Sequence, residues 1–180
     1  MTHWKIDDAH SEIGFKVKHL MITNVSGYFT EFTGSVKTES ADFHDATITF
    51  EAATASITTK NKQRDEHLIG ADFFDSANFP KISFVSKKIK KVTDEHYKLI
   101  GELTIKGHTH SIELDVERHG VVTDPYGQEK DGFSIKGHLH RADYGLRWNA
   151  ATEAGSIVLS DEVKLLMEVQ LVKETAPVLA

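Results

Sequence analysis

For most of its length this chain alternates apolar and polar residues one by one, and that period of two restricts what it can become. Near the middle, Ile112, Leu114 and Val116 alternate with Ser111, Glu113, Asp115 and Glu117. The same rhythm carries Ile13, Phe15 and Val17, then Ile48, Phe50 and Ala52, then Leu99, Leu103 and Ile105. Successive side chains of a strand point to opposite faces, so runs like these build a sheet with one apolar face. The pattern predicts strands over 4–6, 11–19, 28–38, 46–56, 82–89, 96–106, 109–118, 132–141, 156–159 and 162–172. Residues 24–27 and 120–131 read as connections, and Gly107-His108 as a tight reversal. Many antiparallel strands with one greasy face either stack as two sheets or close into a barrel. At 180 residues one all-β domain is expected over 1–172, with a frayed tail over 173–180.

One stretch breaks the rhythm. Within 56–80, Leu68, Ile69, Phe73 and Phe74 fall near helical spacing, after the charged run 60–67 and before Phe79-Pro80. Such spacing predicts a short helical cap around 62–75, its apolar face laid on the open end of the sheet. Proline disfavours helical geometry at Phe79, so the helix must stop by there.

Composition removes several function classes. A net charge of -6 argues against a nucleic-acid surface, which needs a basic face. The lysine cluster of 87–91 reads as protection of a sheet edge, with anionic lipid headgroups the lesser alternative. There is no cysteine, hence no thiolate chemistry, disulfide or cysteine-held metal. No apolar run approaches the ~18 residues of a membrane-spanning helix. Met1 leads straight into Thr2-His3-Trp4-Lys5, with neither basic nor apolar leader region. A cytoplasmic location is therefore expected, or a periplasmic one if a leader was removed.

Folded as an eight-stranded barrel, the chain turns a long apolar set inward: Phe15, Val17, Phe32, Ile48, Phe50, Ala52, Phe84, Leu99, Leu103, Ile105, Phe133 and Ile135. The cap adds Leu68, Phe73 and Phe74. An eight-stranded closed sheet is just wide enough to be filled by side chains or to hold one small ligand. Ala46, Ala52, Gly101 and Gly137 stand where a filled barrel would prefer bulk. Small residues at those places mean either close strand approach or a channel; both readings stay open.

A resemblance sharpens this. Asp7-x-x-His10-Ser11, Phe15-x-Val17-x-His19, Gly27-x-Phe29-x-x-Phe32-x-Gly34, Ser56-Ile57-x-Thr59, Arg64-Asp65-x-His67-Leu68, Asp72-Phe73-Phe74, Phe79-Pro80, Gly101-x-Leu103-Thr104-Ile105-x-Gly107-x-Thr109 and Arg141-x-Asp143-x-Gly145-Leu146 follow one another in that order. Together they resemble the YceI-like family from Trp4 to about Val172. The resemblance implies an extended, lipocalin-like antiparallel β-barrel, a capping helix near 64–74, and an internal channel for polyisoprenoid or similar amphiphilic lipids. Family members are often periplasmic or secreted.

On this reading the partner is a long-chain lipid such as a quinone or prenyl phosphate, and no further cofactor is expected. Hydrocarbon burial would supply affinity, and polar groups at the mouth would read the headgroup. The candidates are His10, His19, Arg64, Asp65, His67 and Arg141, although Arg64 and Asp65 equally suit an ion pair pinning the cap. Free strand edges suggest a homodimer. Three rival readings remain. The first is a filled barrel acting as an interaction module. The second is a metal site built from His108-x-His110 and His138-x-His140. Antiparallel pairing of the two strands, with Val116 opposite Phe133 and His110 opposite Leu139, turns those histidine pairs away from each other. The third is a hydrolase using His10 and Ser11; adjacent strand residues face opposite ways, and no G-x-S-x-G is present.

Overall fold

The structure is a computed structural model; it describes residues 1–149 and 159–175. Eleven strands and one helix follow in order: β1 (Thr2–Ile6), β2 (Glu12–His19), β3 (Thr23–Phe29), β4 (Phe32–Thr38), β5 (Thr47–Ala53), β6 (Ile57–Thr58), α1 (Lys62–Ile69), β7 (Lys81–Lys91), β8 (His96–Ile105), β9 (His108–Thr123), β10 (Glu129–His140) and β11 (Leu159–Lys173). Strands β1, β4, β5, β7, β8, β9, β10 and β11 form a ring that closes by the pairing of β11 with β1. Every pairing is antiparallel, as short connections require. The fold is thus an all-β, eight-stranded closed barrel with one short helix.

Three staves of the barrel are jointed. Strands β1 and β2 both lie on β11, the first against Leu171–Lys173 and the second against Leu159–Glu168. Strand β3 runs into β4, and β5 into β6 through a single turn of 3-10 helix at Thr54–Ser56. The upper pieces β2, β3 and β6 lengthen the wall beyond the ring. At that end β6 is only two residues long, and α1 with the turns behind it stands where further strand would be.

Several expectations need correction. Residues 24–27 are strand, not a break: Val25 and Gly27 face inward, and Gly27 has no Cβ because the Phe15 ring lies across it. Residues 28–38 are two strands divided at Thr30-Glu31. The connection expected over 120–131 shrinks to 124–128, where Asp124 Oδ1 accepts from the backbone N–H groups of Tyr126 and Gln128. Strand β9 runs on there with both faces exposed, as at Val121 and Val122, so its alternation fades. Register also moves. A bulge between Gly132 and Phe133 sets Val116 opposite Ile135 and Arg118 opposite Phe133. The shift is two residues, which keeps the apolar face inward. The lysines of 87–91 lie on β7 beyond its last pairing with β5, at Val85. The short strand expected over 156–159 lies outside the described residues except for Leu159, which begins β11; the tail is described only to residue 175.

Candidate ligand-binding cavity

Inside the barrel is an elongated cavity of about 770 Å³, walled almost wholly by hydrocarbon. Its middle is built by alternate residues of every stave. Ile13, Phe15 and Val17 come from β2, Ile48, Phe50 and Ala52 from β5, and Phe84 from β7. Leu99, Leu103 and Ile105 of β8 face Phe133 and Ile135 of β10, with Leu165, Met167 and Val169 of β11 completing the ring. Several of these residues keep some exposure although they point inward, because the surface they expose is that of the cavity. A barrel filled by its own side chains is not what is seen.

Phe32 is the exception among the expected wall residues. It has inward parity but stands where β3 passes into β4, packs on Phe50 at 6.3 Å between ring centroids, and does not reach the cavity. Two of the small residues also need reinterpreting. A Cβ on Gly101 would meet the Phe84 ring at 2.3 Å and the Val85 carbonyl at 2.6 Å, and one on Gly137 would meet Leu114 at 2.5 Å. These glycines are covered by neighbouring side chains and add no free space. The room comes from Ala52 and from the circumference of the ring.

The lower end is shut. The chain between β4 and β5 folds inward and drops Phe43 across the barrel, with Trp4 and Phe133 each 5.5 Å from its ring. Phe43 sits at φ 62, a left-handed geometry that costs a bulky residue energy and needs outside support. Asp45 provides it by accepting from Thr38 Oγ1 and Ser40 Oγ, both at 2.6 Å; Asp42 is held by Lys91 Nζ at 3.2 Å. Hydrogen bonds from Ser40 and Thr38 keep Asp45 below the usual carboxylate range, and His44 and Lys91 do the same for Asp42. Beneath the plug, the side chain of Asp131 is fully buried and accepts on one oxygen from Arg118 Nε at 2.9 Å and Nη2 at 2.7 Å. Burial opposes the charge on Arg118, but Asp131 outweighs it and raises the guanidinium pKa. The Arg118 carbon lies 4.9 Å over the Phe43 ring. The second Asp131 oxygen and the Tyr97 hydroxyl are buried without a partner among the described residues.

The upper end is the mouth. Asn61 caps α1 by accepting from Arg64 N at 2.9 Å, and Asn61, Gln63, Arg64, His67 and Leu68 reach the cavity. The helix is shorter than the expected 62–75 cap; it ends at Ile69, with Gly70 already extended. Phe73 and Phe74 lie in the turns that follow, where Phe74 N donates to Leu68 O and Ser76 N to Ile69 O. Folding back in this way brings them to the same apolar patch that a longer helix would have used. Phe74 meets Phe29 edge-on at 5.8 Å, while Phe73, His67 and Trp148 form a cluster with centroids 4.8 to 5.3 Å apart.

Three of the six polar residues expected at the mouth, Arg64, Asp65 and Arg141, are engaged by the protein's own backbone. Arg64 donates from Nε to Thr59 Oγ1 at 2.6 Å and from Nη2 to Thr59 O at 2.8 Å. Asp65 accepts from Thr59 N and Oγ1 and stands off the cavity wall. The two side chains share Thr59, both bonding its hydroxyl, instead of pairing with each other. Arg141 is 6 % exposed and donates to the carbonyls of Leu146, Trp148, Leu159 and Ser160. Burial lowers its pKa, and the charge of Asp161 only partly offsets this. His67 Nε2 bonds Asp72 at 2.8 Å. His19 reaches the cavity from β2. His10 does not: it sits outside, at the jog between β1 and β2, with Nδ1 2.9 Å from Asp7 Oδ2.

The rival chemistries find little geometry. Ser11 Oγ accepts from Gln170 N at 3.0 Å while His10 bonds Asp7, so the two do not meet. His110 Nε2 bonds the carbonyl of Asp143, and His138 and His140 meet edge-on, 6.5 Å between ring centroids, on the outer face of β10. Among the described residues, no group of three or more His, Cys, Asp or Glu side chains is placed to hold a metal ion. No described helix is long and apolar enough to cross a membrane.

Sequence reasoning missed Phe43, Trp148 and the β11 wall as cavity residues. The alternation of Leu165, Met167 and Val169 was a usable signal for the last. Phe43, isolated between Asp42 and His44, and Trp148, after Gly145-Leu146-Arg147, carry no period that marks them.

Known proteins agree with this architecture. A UPF0312 protein of Staphylococcus aureus is 39% identical over 165 residues, spanning 91% of this chain and 94% of that protein. The crystal structure of a Campylobacter jejuni YCEI protein superposes with a TM-score of 0.75 at 35% identity, over 94% of this chain and 96% of that one. A polyisoprenoid binding domain from Saccharophagus degradans, described as implicated in plant cell wall breakdown, shares the fold at a TM-score of 0.67 and 14% identity, covering 95% of this chain and 98% of that one. The YceI-like domain model matches residues 4–171, and with the closed, jointed barrel around an apolar lumen this places the chain in the YceI-like family.

Proposed function

We propose that this protein binds one long-chain isoprenoid lipid in its barrel, with the tail toward Phe43 and the polar head near α1, and stores or carries it without covalent chemistry. The observation that carries the reading is the continuous apolar lumen of about 770 Å³. A 150 Å³ protein cavity accepts benzene, or roughly 25 Å³ per carbon. At that density the lumen holds on the order of 30 carbons, about six isoprene units. Burial yields up to about 0.8 kcal/mol per CH₂, so the tail supplies affinity well beyond the cost of ordering it.

Family membership and the binding described for the Saccharophagus degradans domain support the same ligand class. A quinone or a prenyl phosphate fits the rim. With Arg141 and Asp65 engaged by backbone, the head is met by His19, Gln63 and the N–H groups that Arg64 has left over. A homodimer is part of this reading, with the edge of β7 past Val85, which β5 does not pair, as one place for the contact; light scattering reads that state directly. Solvent extraction of the purified protein, followed by mass spectrometry, tests the function. An isoprenoid lipid recovered at near one per chain is the expected result. Protein that neither yields a lipid nor takes one up when offered polyprenyl phosphate or quinone would overturn it.

A further inference from the structure

The hairpin joining β2 to β3 ends in Leu20, Met21 and Ile22, which are 38 %, 57 % and 78 % exposed. Three consecutive large apolar side chains on a convex tip are unusual for a surface. The backbone makes them more so. Ile22 N donates to His19 O at 3.1 Å, and the two central residues lie at φ 52 and φ 60. A reversal with both central residues left-handed is the one that favours Asn-Gly. Leu and Met in those places strain the turn, and Met21 leaves more than half of its surface exposed in return.

The position of the tip suggests their use. His19 and Val25, which flank it, line the cavity mouth. Met21 forms a shallow crevice at the same rim with Arg141, Leu146, Arg147 and Leu159. The shoulders of the hairpin are basic. From Gly14 to Thr30 there is no Asp or Glu, only Lys16, Lys18 and His19, in a chain whose net charge is -6. Lys16 is in register with Lys164 of β11, and Arg147 stands exposed beside the crevice. Among the described residues, Asp161 lines the same crevice, and its carboxylate is taken by His140 Nδ1 and Ala142 N, both at 3.0 Å.

We propose that the 19–22 tip is a membrane-docking element, which sets the cavity mouth against an anionic bilayer surface; the proposal rests on the lipid-binding reading of the cavity. A narrow apolar point with cationic shoulders matches the two layers of such a surface. The side chains enter the boundary between headgroups and acyl chains, and the lysines meet the phosphates. A lipid tail leaving the mouth then passes into hydrocarbon without crossing water.

Co-sedimentation with phosphatidylcholine vesicles, with and without phosphatidylglycerol, tests this. The wild-type protein binds the phosphatidylglycerol vesicles, and salt weakens that binding. The variant L20N/M21G/I22T restores the sequence the turn prefers. It is expected to melt at or above the wild-type temperature, to retain its extractable lipid, and to bind vesicles about tenfold more weakly or worse. Ile22→Ser, which leaves the turn residues alone and adds no charge, lowers binding in the same direction. The variant K16E/K18E loses binding only to the anionic vesicles. Undiminished vesicle binding by the tip variants, or no binding of the wild type to phosphatidylglycerol vesicles, overturns the proposal. Because extractable lipid is measured on the same samples, failure of docking is distinguished from failure of the cavity to hold a lipid.

Discussion

The two ends of the barrel are built on opposite principles. At the floor, side chains bind side chains: Phe43 is wedged between Trp4 and Phe133, and Asp131 holds Arg118 underneath. At the mouth, side chains also reach for the main chain: Arg64 and Asp65 each bond a backbone group of Thr59 as well as its hydroxyl, while Arg141 gathers four carbonyls of the strand ends and the loop. The first arrangement closes a hole. The second keeps a hole open, because a wide rim with few strands needs its loose backbone groups satisfied. The polar residues of the rim are therefore scaffold first, and selection among ligands falls mainly to the length and shape of the lumen.

Perturbing each end in turn puts this contrast to the test. Asp131→Ala leaves the Arg118 charge without its partner in a site where that guanidinium is only 16 % exposed. It should cost about 3–5 kcal/mol in urea denaturation, whereas Arg64→Ala at the exposed rim should cost under about 1 kcal/mol. Equal losses would erase the distinction. Phe43→Ala should cost about 3 kcal/mol and also unplug the lower end, so bound lipid exchanges faster; unchanged exchange would mean that Phe43 is not the seal. Ile135→Trp pushes bulk into the lumen. It should leave stability within about 1.5 kcal/mol and remove most of the bound lipid. A larger loss of stability would indicate that no vacant space lies beside Ile135.

The smallest effect concerns acid. Burial pushes Asp7 up, but hydrogen bonds from Lys130, His10 and Gln170 outweigh it and hold its pKa at about 2 against an ordinary 3.8. The folded value is the lower one, so its contribution is complete above pH 3.8 and fades as pH falls toward about 2. Asp7→Asn should flatten the acid limb of stability in that window and leave lipid binding alone, since Asp7 lies on the outer face of the barrel. A steeper limb would mean that Asp7 is held above its ordinary pKa in the folded protein.

Much of the wall was legible because a half-buried strand writes its inner face into every second residue, as at Ile112, Leu114 and Val116. The rest failed for identifiable reasons. Strand β3 was obscured by Gly27, whose missing side chain is filled by Phe15 from the neighbouring strand. For the same reason Gly101 mimicked free space that the Phe84 ring in fact covers. Whether the lumen is open depends on circumference and on a ring dropped from a loop, and neither has a period. At the rim, the sequence displays Arg64, Asp65 and Arg141 as charges, but their partners are carbonyl, amide and hydroxyl groups brought near only by the fold. Charged residues beside an apolar run suggest a headgroup site, and only the hydrogen bonds reveal that most of that capacity is already used.

The central claim is that the barrel holds vacant apolar space that one hydrocarbon tail can fill. Native mass spectrometry of delipidated protein, titrated with a polyprenyl phosphate or a long-chain quinone, measures it directly. The account predicts a single adduct per chain that disappears in Ile135→Trp. No adduct with either ligand, or one that survives the blocked lumen, would contradict it.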